Sequence, residues 1–373
     1  MKTCILLSLC SFSFFIAACS NSSGGGNSFP LPPADEFSKM VIAFFPPQGL
    51  GDSSDVDNLY SGIFQACKES DGQLEMLEVV PDTWENCDIT ISFYLKFIKD
   101  IQESDESAPD FLFLFYEGYL PFLEEFSKDF EGTKITVLLF ESKKSNLSFV
   151  KRVSIPLYGA SYLAGLCSKE LLKDKSSPRV LSILANSSDQ SLRDAAEAFA
   201  TGFNPSPSWD GKIYSGWNDS DAAPDFYVMS LKDDLADGGY NQSSALYLLM
   251  NAITLSSPYD LLFPLCRGSI SGITKFIREK VEASPYTVGS YTDLNGISSR
   301  IPFSLVKHTG LVAKECLLRW VNGEELEPLM EFGLKDGYTE LVISKDYSPK
   351  LSKLVEDNFE RAVELEREHE DVK

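Results

Sequence analysis

Residues 111–140 read FLFLFYEGYLPFLEEFSKDFEGTKITVLLF, in which two continuous apolar runs flank a segment with helix-like spacing. A strand that is apolar at every position is buried on both faces, which is typical of a parallel sheet covered by helices on both sides. The same alternation continues in both directions along the chain. We therefore predict an α/β protein built from two doubly wound parallel-sheet lobes, with a hinge and an interlobe cleft.

The apolar periodicity gives approximate bounds for each element. Strands are predicted at 40–45, 74–80, 111–115, 135–140, 150–155, 180–185, 226–230, 261–265, 286–291 and 301–306. Helices are predicted near 58–68, 89–102, 120–130, 161–172, 190–203, 242–254, 310–321 and 349–373. On this pattern we assign 38–147 with 306–331 to lobe 1, and 148–305 with 332–373 to lobe 2.

The charge balance excludes several classes of function. Among 373 residues, 55 are acidic and 33 are basic, for a formal net charge of −22. Such a surface repels phosphate backbones, so no nucleic-acid partner is expected. His308 and His369 are the only histidines in the sequence. We therefore expect no metal centre, no cofactor and no histidine-based catalysis.

The N-terminus has the residue pattern of a targeting signal. An apolar run at 5–18 follows a positively charged start, and small residues then precede Cys19. This pattern resembles the bacterial lipobox, so we predict a signal peptide over 1–18, Cys19 acylated by palmitate-type chains, and a flexible tether over 19–37. The protein would then be anchored to a membrane on its periplasmic or extracellular face. An ordinary cleaved signal peptide with an incidental Cys19 is the alternative.

The remaining cysteines do not indicate a metal or redox motif. None of the five that follow Cys19 forms a C-x-x-C pair. A Cys67–Cys87 disulfide and buried free thiols are both compatible with the sequence.

Glycines and polar residues follow several of the predicted strands, where doubly wound sheets bind ligands. Six fragments stand out, at 49–55, 158–165, 262–269, 288–293, 304–307 and 333–337. In this order and spacing they resemble the basic membrane protein family of substrate-binding lipoproteins, the PnrA-like purine-nucleoside receptors. The resemblance implies a type I periplasmic-binding-protein fold and delivery of a nucleoside to an ABC permease.

Four residues match ligand-proximal positions of that family. Asp52 and Ser54 match its first glycine-rich loop, Asp293 matches the second aspartate of its ribose motif, and Lys307 matches its lysine. The resemblance therefore implies that these side chains contact the ligand. Two other roles stay open: Asp52 can cap the following helix, and Lys307 can lie exposed to solvent.

Three residues depart from the family pattern. Asp55 stands where the family has an aromatic ring, Arg267 replaces the glycine before Gly268, and Tyr291 replaces a ribose-binding aspartate. Since they occupy the family's ligand-binding loops, Asp55, Arg267, Gly268 and Tyr291 are also candidate ligand contacts. Losing that aspartate weakens the case for a nucleoside, because a site built for paired hydroxyls loses an acceptor. Arg267 offers a fork or a stacking plane to a ligand, or it pairs with a nearby acid.

Further candidates follow the strand at 111–115. Tyr116 and Glu117 can line the cleft, although Tyr116 and Tyr119 can equally pack at its rim. His308 is more consistent with a hinge or surface position than with a catalytic base.

These observations predict a monomeric solute-binding protein that holds a nucleoside or a related small polar molecule between its lobes. A sensor or adhesin that has kept the fold without transport is the second hypothesis. An enzyme is the third: no catalytic motif occurs, and no spacing singles out an Asp/Glu pair acting on a glycoside.

Overall fold

The computed structural model describes residues 37–47, 49–51, 54–104, 108–131, 133–141, 145–204, 209–214, 225–232, 259–280 and 284–371. The predicted signal peptide, Cys19, most of the tether, Asp52 and the predicted helix at 242–254 lie outside these ranges. In the described part, no helix is long and apolar enough to span a bilayer.

The first sheet is parallel throughout and has the order β12-β5-β4-β3-β1-β2. Its strands are β1 Lys39–Phe44, β2 Leu74–Val79, β3 Asp110–Tyr116, β4 Thr136–Phe140, β5 Val150–Ser154 and β12 Leu329–Glu331. Because β5 pairs with β4, the sheet continues one strand past residue 147, where the sequence analysis ended the first segment of lobe 1.

The second sheet is also parallel, in the order β7-β6-β8-β9. Its strands are β6 Val180–Asn186, β7 Phe226–Lys232, β8 Leu261–Leu265 and β9 Tyr286–Thr287. A three-stranded sheet of β10 Gly289–Tyr291, β11 Phe303–Lys307 and β13 Thr339–Ile343 lies beside it. The single strand predicted at 286–291 is therefore divided, because β9 pairs with β8 whereas β10 pairs with β11.

Helices follow most strands of the two parallel sheets. They are α1 Asp55–Glu69, α2 Cys87–Ser104, α3 Leu120–Glu125, α4 Ser127–Phe130, α5 Tyr158–Leu171, α6 Gln190–Phe203, α7 Ile270–Glu279, α8 Thr309–Val321 and α9 Lys350–Asp371. The helix predicted at 120–130 is divided into α3 and α4, and α7 was not predicted.

Both parallel sheets are buried on two faces, as continuous apolar strands require. In the first sheet one face packs on α1 and α8, and the other carries an aromatic layer centred on Phe44, Phe113 and Phe115. In the second sheet α5 and α6 cover one face, with α9 packed against α5, and α7 covers the other. Helices α5 and α6 approach so closely that a Cβ on Gly165 would lie 2.1 Å from the Phe199 carbonyl oxygen.

The chain passes between the two lobes three times, after β5, after β11 and after β12. One buried side chain, Glu366 of α9, joins two of these crossings. Its carboxylate accepts a hydrogen bond from the Gly159 amide at 2.9 Å, at the start of α5. It accepts another from the Leu334 amide at 2.8 Å, in the segment between β12 and β13.

The five cysteines after Cys19 are free thiols, so the Cys67–Cys87 disulfide is not formed. Four of them are buried and Cys67 is half-buried.

Candidate functional site

The carboxyl ends of strands from both lobes converge on one group of side chains, because parallel strands end at the same edge of each sheet. We call this group the interlobe cluster. It consists of Asp55, Tyr116, Glu117 and Glu141 from lobe 1, Asp189, Arg267 and Tyr291 from lobe 2, and Lys307 from the strand that connects them.

Asp55 is the first residue of α1 and is fully buried. Ser54 caps this helix, since its hydroxyl accepts a hydrogen bond from the Val56 amide at 3.3 Å. One oxygen of the Asp55 carboxylate accepts the hydroxyl proton of Tyr116, at the end of β3. The other, Oδ1, has no hydrogen-bond partner in the described part of the chain.

Arg267 connects the two lobes. It lies in the turn after β8 and is 3% exposed. Its Nη2 atom is 2.5 Å from Asp189 Oδ2 of its own lobe and 3.4 Å from Glu117 Oε2 of the other lobe. Its guanidinium carbon also lies 5.7 Å from the centre of the Tyr116 ring. Of the two roles left open by the sequence, pairing with nearby acids is therefore realised.

Asp189 is held for this pairing by its position at the start of α6. Its Oδ1 atom caps the helix, accepting from the amides of Ser191 at 2.9 Å and Leu192 at 3.3 Å. The Asp189 amide in turn donates to Asn186 Oδ1 at 2.7 Å, at the end of β6. One carboxylate oxygen thus fixes the helix terminus while the other binds the guanidinium.

A second ion pair joins the connecting strand to lobe 1. Lys307, at the end of β11, is 4% exposed and pairs with Glu141, the residue directly after β4. The Lys307 ammonium lies 5.9 Å from the centre of the Tyr291 ring. Glu141 Oε1 and the Tyr291 hydroxyl are buried and have no partner among the described residues.

Backbone strain is concentrated at this site. Four described residues other than glycine have positive φ angles, and three belong to the cluster: Glu141 at 66°, Arg267 at 48° and Tyr291 at 69°. Residues with side chains adopt this region at a cost of about 1 kcal/mol or more, and such strain collects at functional sites.

Burial shifts the protonation of the cluster. It raises the pKa of Glu117 well above its usual range, and the neighbouring Asp189 carboxylate adds to that effect. It raises the pKa of Glu141 to about 7, against the opposing influence of Lys307. The pKa of Tyr291 is also raised, by burial and then by the charge of Asp55.

The remaining predicted site residues lie apart from the cluster or beside it. Gly268 is buried in the same turn as Arg267. Asp293 is exposed, and its carboxylate closes a turn by accepting from the Asn295 amide at 3.0 Å. His308 contacts Glu340 at 2.9 Å and is partly exposed, and Asp52 lies outside the described residues.

Two members of the cluster were missed by the sequence analysis. Glu141 directly follows the apolar run 135–140, and Asp189 follows the run 180–185 with helix 190–203 behind it. A polar residue at the end of a buried strand was therefore the available signal at both positions. In the described part, no group of His, Cys, Asp and Glu has the geometry of a metal site.

No protein-family model and no curated protein matches this sequence. Several solved structures match its fold. A solute-binding protein of an ABC transporter system from Aeropyrum pernix K1 has a TM-score of 0.59 at 12% identity, over 89% of this chain and 86% of its own. An ABC transporter solute-binding protein from Burkholderia graminis C4D1M, in complex with D-arabinose, has a TM-score of 0.58 at 12% identity, over 84% and 97%.

A regulatory protein also shares the fold. A transcriptional activator of the comK gene from Bacillus halodurans has a TM-score of 0.59 at 12% identity, over 85% of this chain and 95% of its own. Together with the two parallel sheets and the connecting segments, these likenesses establish the architecture. The chain has the type I periplasmic-binding-protein fold found in ABC-transporter solute-binding proteins, which confirms the fold class predicted from the sequence.

Proposed function

We propose that this protein is a lipid-anchored solute-binding protein of an ABC importer, and that it binds a small, hydroxyl-rich molecule in the interlobe cluster. One observation carries the proposal: three buried polar atoms from both lobes, Asp55 Oδ1, Glu141 Oε1 and the Tyr291 hydroxyl, have no partner among the described residues. A buried polar group without a hydrogen bond costs about 1–3 kcal/mol. A ligand with several hydroxyl groups would remove that cost at all three atoms.

The ligand class follows from the chemistry of the cluster. Two tyrosine rings offer apolar faces, while carboxylates and cations offer acceptors and donors, which suits a sugar or a nucleoside. The nucleoside class and membership of the basic membrane protein family come from the resemblance described above. The sugar class is supported by the Burkholderia graminis protein, whose structure contains D-arabinose.

Binding is proposed to close the two lobes about the crossing segments. The pair Arg267–Glu117 joins lobe 2 to lobe 1, and Lys307–Glu141 joins the connecting strand to lobe 1, so opening of the lobes would separate at least the first pair. A ligand that contacts both lobes would shift the population toward this closed form, which the permease then recognises. Lipid attachment at Cys19 would hold the protein at the outer face of a membrane, beside that permease.

A thermal-shift screen against nucleosides, bases, sugars and amino acids tests the proposal. We expect stabilisation by at least one sugar or nucleoside, and loss of that response in Lys307→Ala. Lys314→Ala is the matched control, because Lys314 pairs with Glu69 on the surface, away from the cluster. Stabilisation by amino acids alone would overturn the ligand class, and no response across the panel would overturn the binding function.

A sensor or adhesin without transport is the second candidate. It is favoured by the ion pairs themselves, because Arg267 and Lys307 already satisfy acids of the cluster across the lobes. In that case no compound in the screen stabilises the protein. Lys307→Ala then lowers the stability of the free protein and has no ligand response to remove.

A further inference from the structure

We propose that the interlobe cluster selects a ligand that carries a protonated amino group among its hydroxyls, the amino-sugar class, and that Asp55 is the carboxylate that receives this group. The inference rests on the proposed function and narrows its ligand class.

The first argument is the charge count. The cluster contains four carboxylates, from Asp55, Glu117, Glu141 and Asp189, and two cationic side chains, Arg267 and Lys307. All six are largely buried, so solvent screens them weakly. Fully ionised, the cluster would hold two more negative than positive charges. A neutral ligand satisfies hydrogen bonds there but leaves this surplus in place.

The second argument is the way the cations are used. Arg267 pairs with Asp189 and Glu117, and Lys307 pairs with Glu141. Asp55 alone among the four acids has no cationic partner within the described residues. Among the described residues, its carboxylate accepts one hydrogen bond, from the neutral hydroxyl of Tyr116, and its second oxygen has no hydrogen-bond partner. An ammonium group is the donor that compensates both the free oxygen and the unpaired charge.

The protonation of the cluster is consistent with this reading. Buried carboxylates that outnumber the nearby cations tend to become protonated. Burial raises the pKa of Glu117 and of Glu141, which favours their protonated forms. A ligand ammonium would supply the positive charge that those protons otherwise provide. The net charge of −22 would also raise the local concentration of a cationic solute.

Matched pairs of ligands test the inference by calorimetry at about pH 6.5, where sugar amines are mostly protonated. The pairs are D-glucosamine with D-glucose, D-galactosamine with D-galactose, and adenosine with an analogue in which an amino group replaces one ribose hydroxyl. In at least one pair we expect the amine to bind about tenfold more tightly, the scale of a charge-assisted hydrogen bond. Asp55→Asn should reduce that preference to about twofold or less, because it keeps the shape and the Tyr116 contact but removes the charge.

Asp57→Asn is the matched control, since it removes the same charge from the same helix turn. Asp57 accepts from the Gly51 amide at 2.7 Å and not from Tyr116. If neutral ligands bind as tightly as their amines, the inference is wrong and the proposed function stands. If the amine preference survives in Asp55→Asn, Asp55 is not the receiving group. If no member of any pair binds while the thermal-shift panel yields another sugar or nucleoside, the inference fails and the proposed function stands; if that panel is also silent, both fail. Comparing the pairs on the unmodified protein decides the charge preference even if Asp55→Asn folds poorly.

Discussion

Two buried carboxylate sites in this protein are treated in opposite ways. Glu366 joins two of the crossing segments between the lobes, and we call this contact the hinge. Each oxygen of its carboxylate accepts a hydrogen bond from a backbone amide, that of Gly159 at 2.9 Å and that of Leu334 at 2.8 Å. In the interlobe cluster, Asp55 and Glu141 each keep one oxygen without a partner in the described part. Both sites are buried, so burial alone does not distinguish them. The difference is whether the protein itself supplies the donors.

Under the proposed function, that difference separates a structural carboxylate from a ligand-binding one. A carboxylate satisfied by backbone amides holds two crossing segments at a fixed distance and needs nothing more. A carboxylate left half-satisfied stores a cost that a second molecule can remove. The strained φ angles follow the same division, since Glu141, Arg267 and Tyr291 all belong to the cluster.

Replacing Glu366 tests the hinge half of the comparison and has the largest expected effect. Glu366→Ala removes two hydrogen bonds to a charged group and leaves two amides unpaired, so the unfolding free energy should fall by about 4 kcal/mol. Chemical denaturation measures it. Glu364→Ala, on the exposed side of the same helix, should cost less than about 0.5 kcal/mol. If both variants lose the same unfolding free energy, the two hydrogen bonds of Glu366 do not stabilise the fold more than an exposed ion pair does.

The pH dependence of stability tests the cluster half. Burial raises the pKa of Glu141 from 4.5 to about 7, so in this window the folded protein keeps a proton that the unfolded chain releases. The unfolding free energy should therefore fall as pH rises from about 4.5 to 7, by about 3 kcal/mol from this group.

Glu141→Gln should remove the decrease in unfolding free energy that this group causes as pH rises. Denaturation at several pH values measures it. Glu69→Gln is the control, because its pair with Lys314 lies near the surface. The charged groups that interact with Glu141 include Lys307, Asp55, Arg267 and Glu117, and all of them are retained in both variants. An unchanged pH profile in Glu141→Gln would contradict the burial of this carboxyl group.

Asp189→Asn separates the ion pair from the helix cap. Asparagine caps a helix as well as aspartate does, so α6 keeps its N-terminal hydrogen bonds while Arg267 loses its 2.5 Å partner. Glu117 remains near Arg267, so the expected loss of stability is about 2 kcal/mol. Asp129→Asn, which breaks an exposed pair with Lys99, should cost less than about 0.5 kcal/mol. A loss as small in Asp189→Asn would mean that the buried pair contributes no net stability.

The sequence predicted the elements well where the pattern is local. Helix 190–203 and strand 261–265 have the bounds that periodicity gave them. It failed where pairing decides the outcome: 286–291 has one continuous pattern, but two sheets divide it. Helix α7 was missed although its buried residues recur at helical spacing.

The site was partly predictable for the same reason. The sequence analysis searched the segments after buried strands, and the structure brings Asp55, Glu117, Arg267 and Lys307 from those segments into one cluster. Pairing between them was not predictable, because it depends on how two lobes meet and not on neighbours in the chain. Two of the six sequence fragments, 158–165 and 333–337, contact Glu366. The Gly159 amide donates to its carboxylate, and a Cβ on Gly333 would lie 2.4 Å from one of its oxygens.

Two buried tyrosines give the smallest and most direct test of the comparison. The Tyr119 hydroxyl donates to the Phe45 carbonyl at 2.8 Å, whereas the Tyr291 hydroxyl has no partner among the described residues. Tyr119→Phe should therefore lower the unfolding free energy by about 1 kcal/mol, because a buried carbonyl loses its donor. Tyr291→Phe should leave it unchanged or raise it by about 0.5 kcal/mol, because an unsatisfied hydroxyl is removed. In ligand titration the order should reverse, with the larger loss of affinity in Tyr291→Phe. If Tyr291→Phe destabilises the fold as much as Tyr119→Phe, its hydroxyl is already satisfied, and the distinction between a completed hinge and an incomplete cluster does not hold.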